Sequence, residues 1–384
     1  MTATLALPPA AIRVDLGAIF VSLELSKSTW LVTALSPGSD RMSRHSVVGG
    51  DMPGLVACLQ ALRDKARARM GLLYPVIVIQ EAGLDGFWLH RRLVEQDWIT
   101  SHIVDAASIA VSRRYRRAKT DRIDGEILIR TLLAWVRGEP RVCSMVRVPT
   151  IDDEDVRRIG RERQTLIEER KRHVNRIKGL LFGVGVRGYE PARRDRRERL
   201  EELRTGEGMA LPQHLRARIG RELDRLELLL EQVKAVEAER DGLAVAAEET
   251  SPLTMLRAIK GIGPEFANTL VQEGLARPFD NRRQVAAYAG LAPSPWRSGT
   301  IDREQGVSKS GNPRLRTTMV QLAWLWLRHQ PDSELARWFQ ERIGRSGGRG
   351  KKVAIVALAR KLLVALWKYA NSGVVIEGAV MSRA

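Results

Sequence analysis

Cysteine is nearly absent from this chain: Cys58 and Cys143 are the only two among 384 residues, and they have no paired spacing. That argues against a disulfide-stapled secreted protein and makes a reducing cytoplasm the expected compartment. Neither has the His or Asp context of a nucleophile, so both read as small buried apolar residues. Long apolar runs are lacking too. No stretch of eighteen or more apolar residues occurs, and the N-terminal MTATLALPPAAIRVDLG has neither a charged leader nor a long apolar segment, so neither a membrane span nor a secretion signal is expected. No internal repeat is apparent. Acidic residues are in short supply, 45 against 63 Lys and Arg, for a net charge of +18. With a membrane association set aside, the excess points to a polyanionic partner, nucleic acid.

What is present divides the chain in three, which is long enough for two or three domains. Residues 1–150 read as mixed α/β. Ala18 to Leu25 and Thr29 to Leu35, broken by Ser26-Lys27-Ser28, predict a strand hairpin. A helix follows, with Leu55, Val56, Leu59 and Leu62 on one stripe. The strand Val76 to Ile79, a helix over Gly86 to Leu93, a strand at His102 to Val104 and a helix over Asp121 to Leu133 complete it, the last with Ile123, Ile127, Leu128 and Leu132 facing inward. A strand hairpin followed by alternating helix and strand suits a ribonuclease-H-like core.

Residues 151–250 carry two apolar stripes, Ile159, Leu166, Val174, Ile177, Leu181 and Leu223, Leu226, Leu230, Val233, Val236, Leu243, separated by Gly183, Gly185, Gly188 and Pro191. Two long antiparallel helices are expected, either as solvated helices bridging domains or as a coiled coil pairing protomers. Residues 251–384 read as a helical unit rich in glycine turns, with helices over Arg314 to Arg328 and Val353 to Trp367 and a flexible basic loop from Gly344 to Lys352 between them.

Four carboxylates stand out against the basic background. Glu24 ends the first strand, Glu81 directly follows the strand Val76 to Ile79, and Asp121 and Asp124 lie one helical turn apart on one face. Mg²⁺ takes hard oxygen ligands, and one or two such ions would let acidic residues meet DNA phosphates. Each acid alone reads equally as a surface residue or, for Asp121, as a helix-start residue favoured by the macrodipole. The joint placement is the signal.

Two further regions carry chemistry. Leu256 to Pro264 reads as helix, tight turn, helix. Lys260, Gly261 and Gly263 would admit a phosphate to backbone N–H groups, or the glycines would serve packing alone. Tyr288-Ala289-Gly290-Leu291-Ala292-Pro293, Trp296-Arg297-Ser298-Gly299 and Gly306-Val307-Ser308-Lys309-Ser310-Gly311-Asn312-Pro313-Arg314-Leu315-Arg316 mix glycine and serine with Arg and Lys, as a phosphate cradle does. By chemistry alone, any serine there is equally a hydrogen-bond donor.

Three blocks, Ser22-Leu23-Glu24-Leu25-Ser26-Lys27, Gln80-Glu81-Ala82-Gly83 and Ala118-Lys119-Thr120-Asp121-Arg122-Ile123-Asp124, resemble the signature blocks of DEDD-type insertion-sequence transposases. These are the bridge-RNA-guided recombinases, related also to the Piv invertase. The family has Asp where this chain has Glu24, one methylene longer and still able to bind metal. The resemblance implies a RuvC-like catalytic domain, a central long-helix coiled coil, and a mostly α-helical C-terminal transposase domain with a helix-hairpin-helix. It also implies a serine nucleophile, matched in block order to Ser298, with Ser308 and Ser310 as runners-up. Arg297, Lys309, Arg314 and Arg316 would hold the scissile phosphate. The implied reaction cuts and rejoins DNA through a phosphoserine, in a homodimer or homotetramer, with a noncoding bridge RNA bound in part by the stretch Arg187 to Arg199. The alternatives are a metal-dependent Holliday-junction-type nuclease using water, or a catalytically impaired nucleic-acid-binding relative.

Overall fold

The computed structural model describes residues 17–39, 41–83, 86–109, 121–140, 142–245, 248, 250–275, 277, 279–298, 301–345 and 350–382. The side chains of 121–123, 244–245, 295–298 and 301–305 are likewise outside the described set. The chain divides into two compact units, residues 1–149 and 150–384.

The first unit is a five-stranded sheet with helices on both faces. β1 (Ile19–Leu25) and β2 (Thr29–Leu35) form the expected hairpin, closed by Ser26, whose Oγ donates to the Thr29 carbonyl and accepts from its N–H. β3 (Ser43–Val48) adds an edge strand that the sequence reading lacked. Only Val47 of its six residues is buried, so it has no apolar alternation to read. α1 (Met52–Met70) starts at Asp51, whose side chain accepts from the Gly54 N–H, and stops at Gly71 in the left-handed conformation. It buries Leu55, Leu59, Leu62 and Ala66; Val56 of the expected stripe is only half-buried. β4 (Val76–Glu81), α2 (Trp88–Val94), β5 (Ile99–Val104) and α3 (Asp121–Val136) follow.

Sheet order is β3-β2-β1-β4-β5, antiparallel through the first three strands and parallel from β1 to β4 to β5. This α/β arrangement is compatible with a ribonuclease-H-like domain. Because successive strand residues face opposite ways, Ile19, Val21 and Leu23 pack with α1 and α2 on one side, while Phe20 and Ile79 pack under α3 on the other. Ile129 rather than Ile127 joins Leu128 and Leu132 in that second core. Cys58 and Cys143 are half-buried against opposite faces, and burial raises both thiol pKa values.

Gly125 sets the height of α3. Its carbonyl accepts the buried Ser22 Oγ–H at 2.9 Å, and a Cβ there would stand 2.7 Å from the buried Thr33 Oγ1. Gly125→Val is therefore expected to destabilise the first unit by about 1–3 kcal/mol, the usual range for overpacking a filled core. Faster hydrogen exchange at β1 and β2 amides would report it; unchanged exchange would mean that α3 withdraws at no cost.

In the second unit α4 (Ile151–Phe182) begins with a capping box, Thr150 and Asp153 each accepting from the other's backbone N–H. After α5 (Arg196–Glu202), α6 (Gln213–Val245) returns antiparallel along it. The two apolar stripes, exposed Leu243 excepted, meet each other within one chain: Leu166 packs with Leu229, Val233 and Val236, and nearer the tip Ile177 and Leu181 pack with Ile219, Leu223 and Leu226. Those residues are thus not available to pair protomers. Between the layers sits nearly buried Glu222, bonded to His173 Nδ1 at 2.6 Å and to Arg176 and Arg225 at 3.1 Å. Burial alone would push its carboxyl up. The His173 and Arg176 hydrogen bonds outweigh that and hold it below the ordinary range.

The rest of this unit is helical: α7 (Pro252–Arg257), α8 (Pro264–Thr269) running into a π-helical turn at Leu270–Leu275, α9 (Arg282–Tyr288), α10 (Pro313–His329), α11 (Glu334–Arg345) and α12 (Lys351–Ser372). Leu315, Met319 and Leu322 of α10 pack on Leu358, Leu362 and Leu366 of α12 to form its core. The basic loop expected from Gly344 to Lys352 is shorter than read, since α11 takes its first two residues and α12 its last two; 346–349 lie outside the described residues. Between α9 and α10 comes a two-stranded ribbon, β6 (Pro293–Ser298) and β7 (Ile301–Val307). Among the described residues no helix is long and apolar enough to cross a membrane.

Candidate active site

The first unit gathers its acids through strand register. Parallel pairing of β1 with β4 sets Leu23 beside Gln80, so the next residues, Glu24 and Glu81, stand side by side on neighbouring strands. Adjacent strands lie about 4.8 Å apart, and residues in register point to the same face. That face is the one α3 covers, because Ser22, two before Glu24, bonds to Gly125. Along α3, Leu128, Ile129 and Leu132 reach back over Phe20 and Ala18, so the helix runs opposite to β1 and its first turn lies over the strand ends. Asp124, one residue before Gly125, thus lies toward the same end of the sheet as Glu24 and Glu81. Asp121 opens the same helix; its side chain, and the preceding Ala118-Lys119-Thr120, lie outside the described residues.

Carboxylates alone furnish hard oxygen donors, which suit Mg²⁺ over softer metals, and two like charges side by side repel unless a cation lies between them. The donor chemistry would suit that ion, but the described side chains of Glu24, Glu81 and Asp124 do not converge into a site. Among the described side chains no group of three or more His, Cys, Asp or Glu is close enough to hold a metal.

The second unit separates the serines that the sequence placed in one cradle. Ser298 ends β6, opposite Ile301, at the tip of the ribbon, whereas Pro293 pairs with Val307 at its root. Ser308 and Ser310 follow the root. At about 3.3 Å per residue the ribbon holds Ser298 roughly 17–20 Å from them. The side chains of Arg297 and Ser298 are outside the described residues.

At the root two sequence blocks interlock. The Ser308 N–H donates to the Ala292 carbonyl, that of Lys309 to Gly290 and that of Asn312 to Tyr288. Lys309 has φ +58°, a left-handed conformation uncommon for a residue with a side chain. Gly290 and Gly311 are demanded by closeness: a Cβ would stand 2.3 Å from the Ser310 carbonyl oxygen at one and 2.2 Å from the Tyr288 carbonyl oxygen at the other. Ser310 Oγ donates to Ser308 Oγ at 3.2 Å, and Ser308, Lys309 and Ser310 are exposed.

Two of the three arginines expected to hold phosphate are engaged by groups of the protein itself. Arg316 Nη1 donates to the Lys309 carbonyl at 2.7 Å. Arg314 donates to Glu273 Oε1 at 3.2 Å and to the Gly160 carbonyl of α4 at 2.8 Å. Glu273 also accepts from Asn312 Nδ2 at 3.0 Å, while Asn312 Oδ1 caps α10 through the Leu315 N–H. Sequence reasoning missed Glu273; its signal was a lone acid among Leu270, Val271, Gly274 and Leu275. In the turn before α8, Lys260 is exposed and its N–H donates to the Val380 carbonyl. Gly261 has φ +93° and lies where a Cβ would meet His329 Cβ at 2.7 Å, so the fold itself requires glycine there. Gly263 caps α8, a helix of six residues.

A family model described as the transposase IS116/IS110/IS902 family matches residues 253–337, which hold the ribbon, its root and α10. The chain is also 66% identical to the putative transposase y4rJ of Sinorhizobium fredii across 97% of each chain. The chain belongs to the IS116/IS110/IS902 transposase family. It is also 28% identical to the transposase for insertion sequence element IS1111A of Coxiella burnetii, over 65% of this chain and 66% of the relative. A shorter stretch, 29% of the chain and 34% of the relative, is 30% identical to the pilin gene-inverting protein of Moraxella bovis.

Proposed function

We propose that this member of the transposase family is a DNA transposase and site-specific recombinase that cuts and rejoins strands through a covalent phosphoserine. The observation that carries the reading is the register that aligns Glu24 with Glu81 beneath the first turn of α3. Glu24, Glu81, Asp121 and Asp124 would hold one or two Mg²⁺ ions, which supply Lewis-acid stabilisation of the charge developing on the phosphoryl group. Ser298 Oγ, at a ribbon tip that can reach into DNA, loses its proton and bonds to phosphorus as a bridging P–O bond of the strand breaks, and the departing strand end takes up a proton. Reversal with a different strand end rejoins DNA without a high-energy cofactor, because the bond energy is kept in the serine ester. Lys260, Arg297 and Lys309 would bind flanking phosphates, and the turn around Gly261 and Gly263 would approach the backbone. Arg316 holds the ribbon root through the Lys309 carbonyl, and Arg314 ties α10 to Glu273 and to α4.

Cutting two DNA ends in concert calls for at least a homodimer. A noncoding bridge RNA is the proposed guide, and the basic segment at the tip of the helical hairpin is its candidate platform. There Arg193, Arg196 and Arg197 are tied to Asp195, Glu227 and Asp224, while Arg187 and Arg194 remain exposed.

The test is a denaturing gel with Mg²⁺ and element-end DNA. A protein–DNA adduct resistant to SDS is expected from the wild type and from Ser308→Ala and Ser310→Ala, and none from Ser298→Ala. Cleavage with no adduct would instead identify a nuclease using water. Binding with no strand change would identify a catalytically impaired relative.

A further inference from the structure

Away from these sites, one cleft combines an aromatic wall with several cations. It lies between α11 and the first turn of α12, has a volume of about 290 Å³, and its lining includes Trp338, Glu341, Arg342, Arg345 and Val353. Trp338 is half-buried at the edge of the helical core. The Arg342 guanidinium lies 5.7 Å from the ring centre and the Lys361 ammonium 4.8 Å, and both residues are exposed. Close by, Lys351 lies 5.4 Å from the ring centre of Trp324, which is 42% exposed. The family match stops at residue 337, so this cleft begins where it ends.

The composition of the cleft selects its ligand. An apolar peptide has no use for Arg342 and Lys361 on the Trp338 ring or for Arg345 in the lining. A duplex offers phosphates to the cations but keeps its base faces stacked away from the ring. An unpaired nucleotide uses both, its base on the aromatic face and its phosphates on the cations. Stacking a base is the stronger interaction compared with an exposed cation–π contact, so Arg342 and Lys361 can leave the ring for phosphate when a base arrives. Glu341, also in the lining, would accept an N–H from the base edge.

We infer that the cleft binds an unpaired nucleotide of single-stranded DNA, with its base on Trp338 and its phosphates on Arg342 and Arg345. From the proposed function this takes only that DNA is the substrate; it is independent of the serine chemistry. Strand exchange exposes unpaired DNA, and such a cleft would hold it apart until it re-pairs.

The test uses the full chain and a single-stranded DNA octamer carrying 5-iododeoxyuridine, with photo-crosslinked peptides mapped by mass spectrometry and affinity read by anisotropy at fixed salt. Crosslinking to Trp338 is expected. W338A should weaken binding of the octamer about tenfold, the loss typical of one base stack, and duplex binding less than twofold. W338F should retain most of the affinity. Because Trp338 also touches the core, the surface double variant R342A/R345A is measured in parallel, and it should weaken binding and flatten its salt dependence. Crosslinks confined to other residues would overturn the inference. So would an equal loss on duplex DNA, or tighter binding of an RNA octamer of the same sequence. All of these readouts are binding measurements, so a failed adduct assay leaves them interpretable.

Discussion

Asp124→Asn and Glu81→Gln are each expected to slow strand cleavage by about a thousandfold, equivalent to roughly 4 kcal/mol of transition-state stabilisation at 1.36 kcal/mol per tenfold. Both substitutions keep shape and remove one negative charge. DNA affinity measured without Mg²⁺ should therefore hold or rise, because a carboxylate facing phosphate repels it. Single-turnover cleavage across a Mg²⁺ titration checks the first part, and binding in chelator checks the second. The two variants should behave alike, since register and helix placement bring both residues to one end of the sheet. Full cleavage by both would end the metal-site reading. Reduced affinity matched to reduced cleavage would mean instead that these side chains support the fold.

Glu273→Ala is expected to have the largest effect on stability, about 3–5 kcal/mol, the usual cost of removing one partner from a buried ionic cluster. The Glu273 side chain is 8% exposed and faces Arg314, itself 15% exposed, at 3.2 Å, with Arg161 at 3.6 Å. Its loss leaves a nearly buried guanidinium with the Gly160 carbonyl and a distant Glu265, 3.9 Å away, and strips Asn312 of an acceptor at the start of α10. Two compact units make a single unfolding free energy ill-defined, so the measurement is hydrogen exchange at α10 amides together with denaturant unfolding. Replacing Glu273 and Arg314 together by leucine should recover much of the loss, because no unpaired charge then remains. A Glu273→Ala protein with unchanged α10 protection would show the cluster to be incidental.

How much of this was legible in the sequence depends on the range of the interaction. The strands Ile19–Leu25 and Thr29–Leu35 and the helices α1, α4, α6, α10 and α12 announce themselves through periods of two or 3.6, because one face of each is buried. β3 and the β6–β7 ribbon do not. The first buries a single residue; the second reads PSPWRS and IDREQGV, with prolines tolerated because each strand of a two-stranded ribbon is an edge. The sequence reads the four acids as a set; the register sets Glu24 and Glu81 on neighbouring strands, while the Asp121 side chain lies outside the described residues. The serine region was legible as three blocks, but not as two places, since the distance from Ser298 to Ser308 depends on a hairpin that propensity does not signal. Glu273 and Arg314, 41 positions apart, could be paired only by the fold.

The interlock of Gly290 with Ser310 and of Gly311 with Tyr288 has a mechanical corollary. Among the described residues it anchors the ribbon at its root, much as a bracket holds a cantilever. Lengthening both strands by two residues would project the tip about 6–7 Å further and leave the bracket and the helices beneath it untouched. Reach toward a substrate and stability of the foundation can thus be tuned separately in this architecture.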